Sequence, residues 1–187
     1  MIDKNIILLI DFEGHPILGD EYMNNLRYSY LNSTLYGFGD LYPDKSFLIF
    51  SDNHDNHPKT SEVEKITNAD GQHQWITIDP DAGLTYEDII NLAEVEGYNI
   101  NKVIIGGCNT TGCVLKSTGY SAIQWAKAGY DVIIYLPMCA DYQVGGVNTI
   151  EKNLHAFTLI YKTIKEENLI DKIDIPLFLE SEVTEGL

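Results

Sequence analysis

Five short apolar runs are spaced along the chain, and they constrain its fold more than any other feature. The runs are continuous rather than alternating, which is typical of strands that are covered on both faces. They occupy residues 5–10, 46–51, 75–78, 102–107 and 130–136. Strands buried in this way are usually parallel, and parallel strands need long crossover connections, which helices supply. The pattern therefore predicts a parallel sheet with helices packed on its faces.

Helix-like segments separate the apolar runs, as this prediction requires. They cover residues 20–35, 84–96, 111–128 and 148–167. Thr85 is the expected N-cap of the second segment. A last run at 175–179 predicts an edge strand, because Pro176 disturbs a sheet least at its edge. We predict a doubly wound, Rossmann-like α/β fold, a three-layer sandwich with a mostly parallel sheet of five to six strands.

Composition and charge limit the classes of partner. The 187 residues are 44% hydrophobic, which suffices for the core of a single domain over residues 1–187. The net charge of −16 opposes phosphate backbones and anionic lipid surfaces, so we expect neither a nucleic-acid nor a membrane partner. The apolar run before Asp11 is too short for a signal peptide or a membrane span. Three cysteines without framework spacing predict reduced thiols and a cytoplasmic protein.

Polar residues directly follow the predicted strands. In open α/β sheets, ligands bind beyond the carboxyl ends of the strands. Asp11 follows the first run, Asp52 and His54 the second, and Asp79 the third, whereas the fourth leads to Cys113. One rim of the sheet is therefore predicted to gather acids, a histidine and a thiol.

Cys113 follows a Gly- and Thr-rich turn at the predicted start of a helix. Unpaired backbone N–H groups and a partial positive charge at a helix start favour thiolate over thiol. Cys113 is therefore a candidate nucleophile. The alternative is a structural cysteine that only fills space, since cysteine is among the most often buried residue types.

Three segments resemble isochorismatase-like cysteine hydrolases, a family that includes nicotinamidases and isochorismatases. They are Leu-Leu-Ile-Asp-Phe-Glu at 8–13, Gly-Cys-Asn-Thr-Thr-Gly-Cys-Val at 107–114 and Gly-Tyr-Asp-Val at 129–132. The resemblance implies hydrolysis of a small amide or a related carbon–nitrogen bond, with Cys113 as nucleophile and Asp11 as base. It also implies a small-molecule substrate, a homo-oligomer and no required cofactor.

The same resemblance assigns an oxyanion site to the turn before the nucleophile. The residues concerned are Cys108, Asn109, Thr110 and Gly112. It also implies a cis peptide between Cys108 and Asn109. Backbone N–H donors at such a turn would stabilise the negative charge that develops on the substrate oxygen.

Asp79 departs from the family pattern, which has a catalytic lysine at the end of the third strand. A carboxylate in place of an ammonium reverses the local field. Together with Asp11 it would raise the pKa of the Cys113 thiol. The alternative prediction is therefore a pseudoenzyme that keeps the scaffold as a binding or assembly module.

A second alternative concerns a divalent metal. Asp52, His54 and His73 resemble the Asp-x-His element with a later histidine that binds metal in nicotinamidase-like members. Carboxylate and imidazole suit zinc or iron. The competing interpretation is a polar turn whose histidines are solvated or cap neighbouring backbone.

Overall fold

Six strands form one sheet in the computed structural model, which describes residues 1–10, 48–52, 74–78, 83–108, 110–140 and 150–176. The strands are β1 (Ile2–Ile10), β2 (Leu48–Asp52), β3 (Gln74–Ile78), β4 (Tyr98–Cys108), β5 (Asp131–Ala140) and β6 (Ile173–Asp174). Their order is β3-β2-β1-β4-β5-β6, and all five pairings are parallel. The predicted doubly wound α/β fold is confirmed.

The central strand β1 is buried on both of its faces. Ile6, Leu8 and Ile10 belong to the main hydrophobic cluster, together with residues from all the described helices. Ile7 and Leu9, which point the opposite way along the strand, are equally inaccessible to solvent. This two-sided burial explains why the apolar run is continuous rather than alternating.

Polar residues extend β1 and β4 beyond the predicted apolar runs at their amino ends. Asn99 Nδ2 donates to Asp3 Oδ1 at 3.1 Å, and Asn101 Nδ2 donates to Asn5 Oδ1 at the same distance. These side chains are exposed, so hydropathy does not reveal this part of the strands. Cross-strand side-chain pairs and the backbone ladder continue the pairing outside the core.

The helices are α1 (Tyr86–Val95), a π-helix (Thr110–Ser117), α2 (Ala122–Lys127) and α3 (Ile150–Glu166). Two of them match the predicted segments 84–96 and 148–167, whereas the segment 20–35 lies outside the described residues. In the part of the chain that is described, none of the helices combines the length and hydropathy needed to span a bilayer.

The prediction of one helix over 111–128 is wrong, because the chain breaks between the π-helix and α2. The carbonyl of Gly119 in this break accepts a hydrogen bond from the N–H of Tyr86 at 3.1 Å. An isolated parallel bridge also joins Thr85 to Gly119. A Cβ at position 119 would lie 2.5 Å from the carbonyl oxygen of Leu84. The backbone of the break therefore pairs with the start of α1 and does not continue the helix.

Thr85 is the N-cap of α1, as predicted. Its backbone N–H and its hydroxyl both donate to Asp88 Oδ2, at 2.8 and 2.9 Å. These two hydrogen bonds hold the pKa of Asp88 below its usual value of 3.8, and the bond from the backbone N–H has the larger effect. The cap therefore depends on the charged form of Asp88.

The substitution Asp88→Ala is expected to destabilise the fold in a pH-dependent way. Because the pKa of Asp88 is lowered in the folded state, its stabilisation is present above the unfolded value and is lost as pH falls through the folded value. The difference in unfolding free energy between wild type and variant should be largest near neutral pH and should vanish in acid. Denaturant titrations over this range would measure it.

Glu87→Ala is the matched control, because it removes an acid from the same turn and leaves both Thr85 bonds to Asp88 in place. A constant deficit for Asp88→Ala from neutral pH down to acid would contradict the role of its charge.

The predicted edge strand at 175–179 is displaced, since the edge strand β6 covers only Ile173–Asp174. The N–H of Ile175 donates to Asp174 Oδ1 at 2.8 Å rather than to a neighbouring strand. Pro176, next in the chain, has no N–H to donate. Within the described residues, pairing at this edge therefore ends at Asp174, and residues 177–179 of the predicted run lie outside them.

Candidate functional site

The candidate site lies at the carboxyl ends of β1 and β4. These two strands are neighbours in the middle of the sheet, and the strand order runs in opposite directions on either side of them. Such a reversal opens a crevice beyond the strand ends, which is where ligands bind in open α/β sheets. Asp11 is the next residue after β1, and the turn after β4 leads into the helix that carries Cys113.

Gly107 allows the two strands to approach each other closely at this point. It pairs with Ile10 and has a φ of +138°, a conformation that side-chain-bearing residues rarely adopt. A Cβ at position 107 would lie only 1.8 Å from the carbonyl oxygen of Ile10. The backbones of β1 and β4 therefore touch directly, one residue before Asp11 on one side and before Cys108 on the other.

Cys113 lies in the middle of the π-helix Thr110–Ser117. Its side chain is half-buried and packs against the main hydrophobic cluster. Thr110, the first residue of this helix, is only 3% exposed, and Gly112 is half-buried. The expected helix start after β4 is confirmed, but the helix has i→i+5 rather than i→i+4 periodicity. π-Helical turns are rare in proteins, and those that occur are often found at functional sites.

Thr118 is a site residue that the sequence analysis missed. Its Oγ1 donates to the backbone carbonyl of Cys113 at 3.2 Å. In the sequence, only the five-residue spacing between Cys113 and Thr118 and the glycine at 119 point to this contact. Neither signal can be interpreted before the helix is known to be a π-helix. The bond connects the break after the π-helix to the backbone of the candidate nucleophile.

The strand β5 is irregular beside the candidate site. Ile105 pairs with Ile134, but Gly107 pairs with Cys139, so β5 holds extra residues at this level. The buried thiol of Cys139 donates to the carbonyl of Tyr135 at 3.3 Å across the irregularity. Cys139 is therefore part of the strand structure next to the nucleophile turn.

Several predicted site residues lie outside the described residues. They are Asp11, Asp79, Asn109, His54 and His73. Cys108 ends β4 and pairs with Ala140, but only its backbone is described. The predicted cis peptide involves Asn109 and therefore stays a prediction. The structure describes the strand ends and helices that adjoin these residues in the chain.

The register of β2 and β3 bears on the predicted metal ligands. Asp52 pairs with Ile78 at the carboxyl edge, whereas Gln74, which follows His73 in the chain, pairs with Leu48 at the amino edge. Four steps along a strand span about 13 Å. This separation disfavours a ligand set that combines Asp52 with His73. Within the described residues, no three His, Cys, Asp or Glu side chains come close enough together to hold a metal ion.

Asp79 lies outside the described residues, but the elements before and after it in the chain are described. It comes directly after β3, which β2 and β1 separate from β4, a lateral distance of about 14 Å. By Thr85, however, the chain is bridged to Gly119, in the break after the π-helix. Residues 79–84 therefore connect the edge strand β3 to the neighbourhood of the Cys113 helix.

Four lysines in the described ranges contact a carboxylate or an aromatic ring, and these contacts lie away from the carboxyl edge of the sheet. The ammonium of Lys4 lies 4.6 Å from the ring centroid of Tyr98. Lys127 pairs with Glu167, Lys162 with Glu166 and Lys172 with Asp131.

Lys102 lies near the middle of β4, where it lines a shallow cleft of about 310 Å³. The strand extends about 20 Å from there to Cys108. Lys116 lies in the π-helix itself and is exposed. Among the described residues, none of these lysines takes the place at the end of β3 that the family pattern gives to its catalytic lysine.

One comparison with a solved structure supports the fold. The sequence matches no family model and no curated protein. The crystal structure of N-carbamoylsarcosine amidase from Thermoplasma acidophilum is similar with a TM-score of 0.52 and 11% identity, covering 95% of this chain and 99% of that one. The crystal structure of the nicotinamidase SaPncA from Staphylococcus aureus gives a TM-score of 0.49 and 16% identity, covering 94% and 100%. At such identity the likeness to the amidase shows the fold alone, and at that level it confirms the predicted resemblance.

Proposed function

We propose that the protein is an isochorismatase-like cysteine hydrolase that cleaves a small amide or a related carbon–nitrogen bond. The observation that carries the proposal is the location of Cys113. It is half-buried in the helix directly after β4, beside the point where the strand order reverses. The helix that carries this thiol borders the edge of the sheet at which small substrates bind in folds of this kind. The similarity in fold to an amidase supports the same reaction class.

In the proposed reaction the Cys113 sulfur starts as a thiolate, with its proton held by Asp11. The thiolate attacks the carbonyl carbon of the substrate, and backbone N–H groups from Asn109 to Cys113 stabilise the resulting oxyanion. The intermediate collapses to a thioester and expels the amine, which takes the proton from Asp11. Water then attacks the thioester and gives a proton to Asp11. Collapse of this second intermediate releases the carboxylic acid and restores the Cys113 thiolate with Asp11 protonated.

The contact between Gly107 and Ile10 supports the pairing of Asp11 with this thiol. Each of these two residues directly precedes a member of the proposed site, and their backbones are in contact. A carboxylate acting as a proton shuttle must come within hydrogen-bond reach of the groups it serves. The close approach of β1 and β4 favours such a distance.

The alternative proposal is a pseudoenzyme that uses the same crevice for binding or assembly. Its support is Asp79, which follows β3 where the resemblance implies a lysine. A carboxylate there disfavours a thiolate at Cys113 instead of stabilising it. The two proposals therefore differ in the ionisation state of one sulfur atom.

Alkylation of the native protein by iodoacetamide distinguishes the two proposals. If Cys113 is an activated nucleophile, it should react at least about ten times faster than Cys108 or Cys139 at neutral pH. Burial alone slows Cys139, which is only 7% exposed, so the pH dependence carries more weight than the rate. A thiolate reacts at a nearly constant rate between about pH 7 and pH 9, whereas an ordinary thiol speeds up until its pKa of about 8.5.

Peptide mass mapping after timed quenching would give the rate at each cysteine. Ammonia release from a set of small primary amides, measured for wild type and Cys113→Ser, tests the reaction itself. Slow labelling with an ordinary pH profile, and no hydrolysis above that of the serine variant, would rule out the hydrolase in favour of the pseudoenzyme.

A further inference from the structure

The π-helix that carries Cys113 ends at a short break with unusual connections. The π-helix covers Thr110–Ser117, and Thr118 is the residue just beyond it. The hydroxyl of Thr118 donates to the backbone carbonyl of Cys113, five residues earlier, at 3.2 Å. This side-chain bond spans the i→i+5 interval of the helix. It therefore connects the end of the helix to the residue of chemical interest.

Thr118 is itself held in place from the other side. Its neighbour Gly119 is bridged to Thr85 and accepts a hydrogen bond from Tyr86. The contact is too tight for a side chain at position 119. Thr85 in turn is fixed by its two hydrogen bonds to Asp88. A continuous series of contacts thus runs from the capped start of α1 to the backbone of Cys113.

We propose that Thr118 is a positioning residue for Cys113, holding the π-helical register of the backbone that carries the thiol. This inference rests on the proposed function, because it assigns Thr118 a role only if the thiol reacts. Backbone N–H groups around a sulfur stabilise its thiolate only when they point at it. Without the Thr118 hydroxyl, the helix can relax toward the commoner i→i+4 register, which rotates Cys113 relative to the strand ends.

The test compares Thr118→Val with Thr118→Ser. Valine keeps the shape of threonine and removes the hydroxyl, whereas serine keeps the hydroxyl and removes the methyl group. Thr118→Val should slow alkylation of Cys113 by about fivefold at neutral pH, the effect of one hydrogen bond. It should also shift the pH profile of alkylation toward that of an ordinary thiol. Thr118→Ser should restore both the rate and the profile.

Thr163→Val is the matched control. The hydroxyl of Thr163 donates to the carbonyl of Leu159 at 2.9 Å in α3, so this variant loses the same kind of bond on an exposed surface. Its alkylation profile at Cys113 should equal that of wild type. Thermal unfolding of all three variants, followed by circular dichroism, verifies that each is folded under the labelling conditions.

The outcomes separate this inference from the proposed function. If wild-type Cys113 shows an ordinary thiol profile, the proposed function fails and the role of Thr118 fails with it. If wild-type Cys113 is activated and Thr118→Val leaves its profile unchanged, the positioning role alone is overturned. An equal shift in Thr118→Val and Thr118→Ser would also overturn it, because the hydroxyl would then have no specific part.

Discussion

Gly107→Ala is expected to cost at least about 4 kcal/mol of unfolding free energy, which is most of the stability of a protein at the low end of the usual range. The added methyl group would lie 1.8 Å from the carbonyl oxygen of Ile10. Both atoms belong to rigid strands in the middle of the sheet, so neither can move without separating β1 from β4. The φ of +138° adds conformational strain. Urea titration followed by circular dichroism would measure the loss.

Gly129→Ala separates the steric clash from the backbone strain. Gly129 has a φ of +99°, but a Cβ at that position meets no atom within 4 Å. This variant should lose only about 1–2 kcal/mol, the cost of placing an ordinary residue at positive φ. Similar losses for the two variants would show that the contact between Gly107 and Ile10 is unimportant.

Trp125→Ala is expected to cost about 3–5 kcal/mol, as is usual for truncation of a large buried side chain. Trp125 is fully buried in α2. Its ring contacts Tyr86 at a centroid distance of 5.7 Å and Tyr130 at 5.1 Å with nearly perpendicular planes. The indole therefore packs α2 against the start of α1 and against the residue that precedes β5. Its loss should also weaken the contact between the start of α1 and Gly119, which follows the π-helix.

Trp125→Phe should cost much less, below about 2 kcal/mol. Within the described part of the chain, the buried indole Nε1 has no hydrogen-bond partner. Leaving such a donor unsatisfied is itself unfavourable, so its removal offsets part of the lost packing. Calorimetric or urea unfolding of the two variants would give the comparison. A phenylalanine variant as unstable as the alanine variant would mean that Nε1 does have a partner, such as an ordered water.

The parts of the fold that follow from hydropathy were predictable from the sequence. The continuous runs identified β1 to β5 because burial on two faces leaves no polar positions in a strand, as Ile6 to Ile10 illustrate. Their polar extensions, such as Asp3 and Asn99, were missed because side-chain pairing at the surface leaves no hydropathy signal. The break in the third helical segment was missed because it depends on a contact with Thr85, which lies more than 30 residues earlier in the chain.

The candidate site was predictable in its location and less so in its detail. The turn that follows β4 and the thiol at position 113 were recognisable from local sequence alone. The π-helical periodicity was not, since it depends on the contacts at the helix end, such as that from Thr118. The same holds for Gly107, which reads as a flexible strand residue in the sequence. In the structure it is the point at which two backbones exclude any side chain.

The short edge strand β6 limits how copies of this chain can associate. Just past its two residues, Ile175 has used its N–H on Asp174, and Pro176 has none to offer. An incoming strand would therefore find almost no donors with which to extend the sheet on that side. A homo-oligomer that used this side of the molecule would be assembled through side chains rather than through a shared intermolecular sheet. Among the described residues, this end of the sheet thus offers few backbone groups for open-ended, fibre-like growth.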